Sequence, residues 1–211
     1  MKAYKFRSSQ QMQFAFDIIL SNRLYCSDWK QLNDPMEGAF VYSRNTNNPT
    51  DDSERVIRIA TEKKKLKICS LAKSFDCHLL WVHYASGFDG LAIEVELPDD
   101  DLKIRKVEYR GVFAFLQENE LNNPDTAATK IFSSKYKEWS YEHEIRIIQE
   151  ENYYHLEKPI RRIIAGSRMN PALFNALKII CKAKKIELCS LGIGDEGLDA
   201  DFVDMSDIIF L

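Results

Sequence analysis

Two acidic side chains and an arginine alternate along one short stretch in the last third of the chain. The segment from Tyr141 to Gln149, YEHEIRIIQ, has the period of two that is typical of a strand. Glu142, Glu144 and Arg146 therefore fall on one face of the predicted strand. A carboxylate beside an arginine on a rigid strand is held ionised and oriented, for catalysis or for gripping a ribose hydroxyl. The same alternation is also typical of a half-exposed strand with a surface ion pair, so both interpretations stay open.

A second group of candidate residues lies in a predicted helix between two predicted strands. Residues 77–86 carry Trp81, His83 and Tyr84 within one turn, and strands are predicted at 67–71 and 91–97. These three side chains could form the wall of a ligand site. The alternative is a buried amphipathic helix whose Trp and Tyr belong to the core and whose His is only hydrogen-bonded.

Composition bounds the class of protein. The chain has 211 residues, of which 45% are hydrophobic, so we expect a single domain over 1–211 with a substantial core. Its net charge of −3 offers no general attraction for nucleic acid or an anionic membrane. The cysteines form no CxxC pair, which argues against a disulfide framework or a structural zinc site: Cys26, Cys69, Cys77, Cys181 and Cys189.

The sequence also predicts a location. The segment MKAYKFRSSQQ lacks the apolar core of a secretion signal, and no apolar run approaches the roughly 20 residues of a spanning helix. The cysteines, which form no disulfide framework, suit a reducing compartment. We therefore expect a soluble, cytoplasmic protein without a membrane partner.

The order of predicted elements indicates the fold class. Strands outnumber helices, and no internal repeat or domain boundary is apparent. We therefore expect an α+β fold with a mixed, largely antiparallel central sheet flanked by helices.

Metal-dependent chemistry is an alternative that the residues leave open. The four histidines lack metal-ligand spacing, so no metal site is predicted from them. Asp34 and Glu37, together with Glu142 and Glu144, could hold a divalent ion for a nuclease. No phosphate-binding loop, nucleophile elbow or dinucleotide fingerprint is present.

Several short motifs together resemble a bacterial family known as domain of unknown function 2971. The resemblance covers most of the chain and is carried by Tyr4-Lys5-Phe6-Arg7, Asn33-Asp34-Pro35, Cys69-Ser70-Leu71, Leu80-Trp81-Val82-His83-Tyr84-Ala85 with Gly90, Val107-Glu108-Tyr109, and Trp139-Ser140-Tyr141-Glu142-His143-Glu144-Ile145-Arg146. The family name itself implies no activity.

The order of elements further resembles the ADP-ribosyltransferase fold. By this resemblance the opening strand, Tyr4 to Arg7, would supply a ribose-binding residue, Lys5 or Arg7. Many such enzymes carry His on this strand, and others carry Arg. The resemblance implies a supporting role for Ser70 and a nicotinamide-pocket wall made of Trp81, His83 and Tyr84, with Tyr84 stacked on the ring.

The resemblance also implies the chemistry. Glu144, or else Glu142, would bond the ribose 2′-hydroxyl of NAD and stabilise the positive charge on the ribose as nicotinamide leaves. We therefore expect an NAD-dependent ADP-ribosyltransferase, a bacterial toxin or phage-defence effector that modifies nucleic acid or protein and has an antitoxin partner. The alternatives are the metal-dependent nuclease and a non-enzymatic module that binds a ligand or partner through the Trp81, His83 and Tyr84 wall.

Overall fold

Strands predominate in this chain, as its β-branched and aromatic runs predict. The computed structural model describes residues 1–43, 52–194 and 197–200. Within them the strands are β1 (Lys2–Arg7), β2 (Arg23–Tyr25), β3 (Ser27–Asp28), β4 (Phe40–Tyr42), β5 (Lys67–Ala72), β6 (Leu91–Glu96), β7 (Ile104–Lys106), β8 (Glu108–Arg110), β9 (Ala114–Leu116), β10 (Ser134–Tyr136), β11 (Glu144–Gln149), β12 (Tyr153–His155), β13 (Arg162–Ala165), β14 (Glu187–Ser190), β15 (Gly192–Gly194) and β16 (Gly197–Asp199). The helices are α1 (Met12–Ser21), α2 (Ser53–Lys65), α3 (His78–Tyr84), α4 (Pro124–Phe132) and α5 (Pro171–Lys184). The prediction of an α+β fold with a mostly antiparallel sheet is confirmed.

The chain divides into two compact units, each built from separate segments. Unit 1 contains residues 1–24, 71–99 and the chain from 155 on, and unit 2 contains residues 25–70 and 100–154. The division falls within β5, whose residues 67–70 belong to unit 2.

Unit 1 is organised around β1, which pairs antiparallel with β6 along its whole length, from Lys2 opposite Glu96 to Arg7 opposite Leu91. The strand β13 pairs antiparallel with β6, and β14 pairs parallel with β13. Between these last two strands, α5 begins with Pro171 at its first position, where the missing N–H costs nothing, and the Asn170 side chain accepts a hydrogen bond from Ala172 N–H at 2.9 Å.

Aromatic rings pack against one another within the core of unit 1. Trp81 of α3 is completely buried; its ring packs edge-on against Phe6 at 5.2 Å between centroids and stacks on Phe88 at 6.0 Å. Its indole N–H donates to the Phe75 carbonyl at 2.6 Å, which satisfies its single polar atom.

Unit 2 is organised around β11, which lies between β5 and β7 and is buried along its whole length. The parallel pairs β4 with β9 and β8 with β10 lie in the same unit, as do α2 and α4. A short 3-10 segment, Lys137–Glu142, leads into β11.

The predicted strand from Tyr141 to Gln149 is wrong at its start. Glu142 ends the 3-10 segment, and His143 adopts a left-handed conformation with φ of 42° before the strand begins at Glu144. The strand is also fully buried rather than half-exposed, so the alternation of polar and apolar residues reflects a buried ion network and not a solvent face.

Helices in the described part of the chain are all too short or too polar to cross a membrane.

Candidate functional site

Five charged side chains meet in the interior of unit 2. They come from the 34–39 loop, β10, the 3-10 segment and β11, and they are Glu37, Lys135, Glu142, Glu144 and Arg146. We call this set the charge cluster. Each member is less than 9% exposed, and Arg146 is not exposed at all. Burying charges this deeply is costly unless they are paired and hydrogen-bonded, so the geometry of the pairs decides what the cluster can do.

Arg146 stands at the centre of the charge cluster and uses all of its donors. Its Nε donates to Glu144 Oε1 at 2.8 Å and its Nη2 to Glu144 Oε2 at 3.0 Å. Its Nη1 and Nη2 also donate to the two carboxylate oxygens of Glu37, at 2.8 and 2.5 Å. The remaining Nη1 proton goes to the Phe132 carbonyl at 2.8 Å. All five guanidinium N–H groups are therefore satisfied, which an ammonium group could not reproduce.

Lys135 joins the carboxylates on the other side of the cluster. Its Nζ lies 2.6 Å from Glu142 Oε2, 3.2 Å from Glu144 Oε2 and 3.8 Å from Glu37 Oε1. The ammonium group also lies 4.9 Å from the centre of the Trp139 ring. Glu142 thus reaches the cluster through Lys135, although it does not lie on the strand that carries Glu144.

The network fixes the protonation state of Glu144. Burial alone would raise the pKa of this carboxyl, but Arg146 and Lys135, with a hydrogen bond from Ser70, lower the pKa to about 2. Burial would likewise lower the pKa of Lys135, and the neighbouring Glu144 and Glu142 raise it instead. At neutral pH Glu144 is therefore an anion, suited to stabilising positive charge and unsuited to donating a proton.

Two neutral side chains orient Glu144 from neighbouring strands. Ser70, on the part of β5 that belongs to unit 2, hydrogen-bonds to its carboxylate. Tyr109 of β8 accepts a hydrogen bond from the Glu144 backbone N–H at 2.7 Å, and burial raises the pKa of Tyr109 above its usual value. Side chain and backbone of Glu144 are thus both held in place.

The loop that carries Glu37 is anchored by a buried lysine. The Nζ of Lys63, on α2, donates to the Gly38 carbonyl and lies 5.0, 5.4 and 5.6 Å from the ring centres of Trp29, Phe40 and Phe132. Within the described residues Lys63 forms no ion pair with a carboxylate. The aromatic faces therefore supply its electrostatic stabilisation.

The pH dependence of stability should reveal this buried lysine. Burial lowers the pKa of Lys63 below 10.5, so the unfolded chain binds the extra proton between the two values. In that window the free energy of unfolding should rise with pH because of Lys63, and Lys63→Met should lack that contribution. Urea unfolding at pH 8 and pH 10.5 measures it, with Lys64→Met at the exposed neighbouring position as control. Identical pH slopes in wild type and Lys63→Met would contradict the prediction.

A small cavity opens beside the charge cluster. It has an empty volume of about 220 Å³, which includes its open mouth, and both Glu37 and Lys135 line it. The other lining residues are Asp34, Met36, Gly38, Ala39, Val112, Ala114, Ser134 and Tyr136. All of them belong to unit 2.

The predicted cofactor-binding residues of α3 differ in exposure. Trp81 belongs to the core of unit 1, as the amphipathic-helix alternative predicts, whereas His83 is exposed and Tyr84 half-buried. The rings of His83 and Tyr84 lie 6.3 Å apart.

On β1, Lys5 and Arg7 are both half-buried and alternate with the buried Tyr4 and Phe6. Ser70, Glu142, Glu144 and Arg146 lie in unit 2, whereas the other predicted site residues lie in unit 1: Lys5, Arg7, Trp81, His83 and Tyr84.

The acidic residues proposed for a metal-dependent nuclease have other partners in this structure. Glu37 is bound to Arg146, and Asp34 accepts a hydrogen bond from the Met36 backbone N–H at 2.9 Å. Across the described residues, no three His, Cys, Asp or Glu side chains are grouped so that they could hold a metal ion.

Sequence reasoning missed one member of the charge cluster, Lys135, and one neutral neighbour of it, Tyr109. In the sequence, Lys135 lies in a basic and aromatic run and Tyr109 in the Val107-Glu108-Tyr109 motif of the resemblance, but neither pattern predicts a position beside Glu144. Buried charges that come from separate segments of the chain carry no periodic signal in the sequence.

The chain matches no protein-family model, no curated protein and no solved structure. Membership of the family known as domain of unknown function 2971, and the likeness to ADP-ribosyltransferases, therefore stay predictions from the sequence.

Proposed function

We propose that this chain is an NAD-dependent ADP-ribosyltransferase that modifies nucleic acid or protein, as a bacterial toxin or phage-defence effector with an antitoxin partner. One observation carries the proposal: Glu144, at the start of β11, is an oriented carboxylate anion that is hydrogen-bonded to Ser70 of the neighbouring β5. These are the two unit 2 residues for which the resemblance implies a catalytic and a supporting role.

The proposed reaction requires mainly that the protein supply a fixed negative charge beside the ribose. The C1′–N bond of NAD breaks and its electron pair goes to nicotinamide, which leaves as a neutral molecule. Positive charge develops on the ribose, and an acceptor nucleophile then forms the new bond to C1′ and loses its proton to water. A carboxylate whose pKa is about 2 stays ionised throughout and stabilises the cationic transition state.

The position of Lys135 supports a place for that positive charge beside Glu144. In the free protein its ammonium group lies 3.2 Å from Glu144 Oε2 and shields this carboxylate, which is only 5% exposed. In the proposed reaction Lys135 swings away, and the ribosyl cation takes its place beside Glu144. Glu142, 2.6 Å from Lys135, is the partner that retains the ammonium group.

Nicotinamide release from NAD tests the proposal. We expect release by the wild-type protein and a decrease of roughly 100-fold or more in Glu144→Gln, because the charge that stabilises the transition state is removed. The matched control is Glu138→Gln, an exposed acid in the segment before β11, which should stay within about twofold of wild type. No release by the wild-type protein at millimolar NAD, or full activity in Glu144→Gln, would refute the proposal.

A second variant separates catalysis from folding. Ser70→Ala removes one hydrogen bond to Glu144 but keeps the ion pairs with Arg146 and Lys135, so the protein should melt close to wild type. Its release of nicotinamide should still fall about tenfold if Glu144 must be oriented. Tyr84→Ala, in unit 1, tests separately the stacking on nicotinamide that the resemblance implies.

A further inference from the structure

A half-buried tryptophan lies beside the charge cluster. Trp139 belongs to the 3-10 segment Lys137–Glu142, and its ring packs against Tyr141 at a tilt of 37°, with 6.1 Å between the centroids. The Nζ of Lys135 lies over the indole, 4.9 Å from the ring centre. An aromatic face attracts an ammonium group at this distance, so Trp139 adds an electron-rich surface to the cluster.

The ammonium group of Lys135 therefore occupies a place formed by carboxylates and an aromatic ring. The same Nζ lies 2.6 Å from Glu142 Oε2 and 3.2 Å from Glu144 Oε2. The charge cluster contains three carboxylates and two cations, so its five members carry a net charge of −1. Carboxylates beside an indole face suit a flat cation, because the ring offers it stacking as well as attraction.

NAD carries a flat cation next to its reacting bond. Its positive charge lies on the pyridinium ring of nicotinamide, which is bonded directly to C1′ of the ribose. In the proposed reaction the ribose lies beside Glu144, in the place that Lys135 leaves. Because one Nζ atom contacts both Glu144 and the Trp139 ring, a pyridinium one bond away from that ribose reaches the indole face.

We propose that Trp139 is a specificity-determining residue that stacks on the cationic nicotinamide ring of NAD. The inference rests on the proposed function and adds to it the residue that recognises the leaving group. Trp139 lies in the same unit as Glu144, whereas Tyr84, to which the resemblance assigns this stacking, lies in unit 1. Nicotinamide leaves as a neutral molecule, so the attraction to Trp139 weakens once the C1′–N bond has broken.

Binding of 1-methylnicotinamide, a flat cation without a ribose, tests the contact in the absence of turnover. We expect saturable quenching of tryptophan fluorescence in the wild-type protein and its loss in Trp139→Phe. Trp29→Phe is the matched control and should keep the quenching, because Trp29 is also half-buried in unit 2 and also lies beside an ammonium group, that of Lys63 at 5.0 Å. Calorimetry should show that neutral nicotinamide binds about fivefold more weakly than 1-methylnicotinamide.

The kinetics of nicotinamide release separate substrate contact from a structural role. Trp139→Leu should raise the KM for NAD about tenfold and change kcat by less than about twofold, because the stacking acts on the bound cation before the bond breaks. Trp139→Tyr keeps an aromatic face and should stay within about threefold of wild type in KM. If Trp139 only held Lys135 in place, Trp139→Leu would melt at a lower temperature without this selective change in KM.

The outcomes distinguish this inference from the proposed function. A wild-type protein that releases nicotinamide, with the same KM in Trp139→Leu, would overturn the contact and leave the transferase function standing. Quenching that persists in Trp139→Phe, or equal affinity for 1-methylnicotinamide and nicotinamide, would also overturn it. A wild-type protein that binds 1-methylnicotinamide through Trp139 but releases no nicotinamide would keep the flat-cation site and lose the transferase function.

Discussion

Arg146→Met is expected to lower the free energy of unfolding by about 3 to 5 kcal/mol, because it leaves two buried carboxylates without their main partner. Glu37 loses both of its hydrogen bonds to the guanidinium, and Glu144 loses two as well. The Phe132 carbonyl is left without the 2.8 Å bond from Nη1. Urea unfolding followed by circular dichroism measures the loss.

The control and the pH dependence sharpen this prediction. Arg110→Met removes an exposed ion pair with Glu108 and should change the free energy of unfolding by less than about 1 kcal/mol. In the wild-type protein, the stability that Glu144 contributes is complete above pH 4.5 and is lost as pH falls from 4.5 toward about 2. Without Arg146 the folded-state pKa of Glu144 rises, so acid unfolding should begin at higher pH. An unfolding free energy equal to wild type would contradict a structural role for Arg146.

Gly90→Ala is expected to destabilise unit 1 by about 3 kcal/mol or more, through collision with backbone rather than with movable side chains. A Cβ at Gly90 would lie 2.1 Å from the Arg7 carbonyl oxygen and 2.9 Å from the Ala85 Cα. The Gly90 carbonyl also accepts the Gly166 N–H at 2.8 Å, so a displaced backbone loses that bond too. Thermal unfolding should show a melting temperature lower by roughly 10 °C.

The matched control is Gly111→Ala, because a Cβ there meets no atom within 4 Å. Its melting temperature should equal that of wild type or exceed it slightly, since alanine restricts the unfolded chain. A Gly90→Ala protein that melts within about 2 °C of wild type would show that the close approach of Gly90 to Arg7 is absent in solution.

Local sequence patterns correctly predicted those features of the structure that depend only on residues close together in the chain. The alternation in EIR correctly predicted that Glu144 and Arg146 share a face, and their side chains are in contact at 2.8 Å. The apolar spacing in residues 77–86 predicted a helix, and α3 spans His78–Tyr84. In both cases the periodicity of one element decides which side chains meet.

The remaining site residues depend on contacts between distant segments. Glu37 reaches Arg146 across 109 positions in the sequence, and no local pattern encodes that pairing. The strand prediction for 141–149 failed at its start because the polar alternation continues into the 3-10 segment, which ends at Glu142 and is followed by His143 in a left-handed conformation. Whether Trp81 faces a ligand or the core depended on the packing of Phe6 and Phe88 around it, which the sequence does not specify.

The interleaving of the two units has a consequence for synthesis on the ribosome. Every segment of unit 2 has been made once residue 154 is added, whereas unit 1 still lacks β13 and β14. The strand β6 can pair early with β1, but its other edge has no partner until Arg162–Ala165 emerges. Until then this edge presents free N–H and C=O groups that can pair with other chains. The nascent chain is therefore most prone to aggregation in the interval between the synthesis of residue 154 and the pairing of β13 with β6.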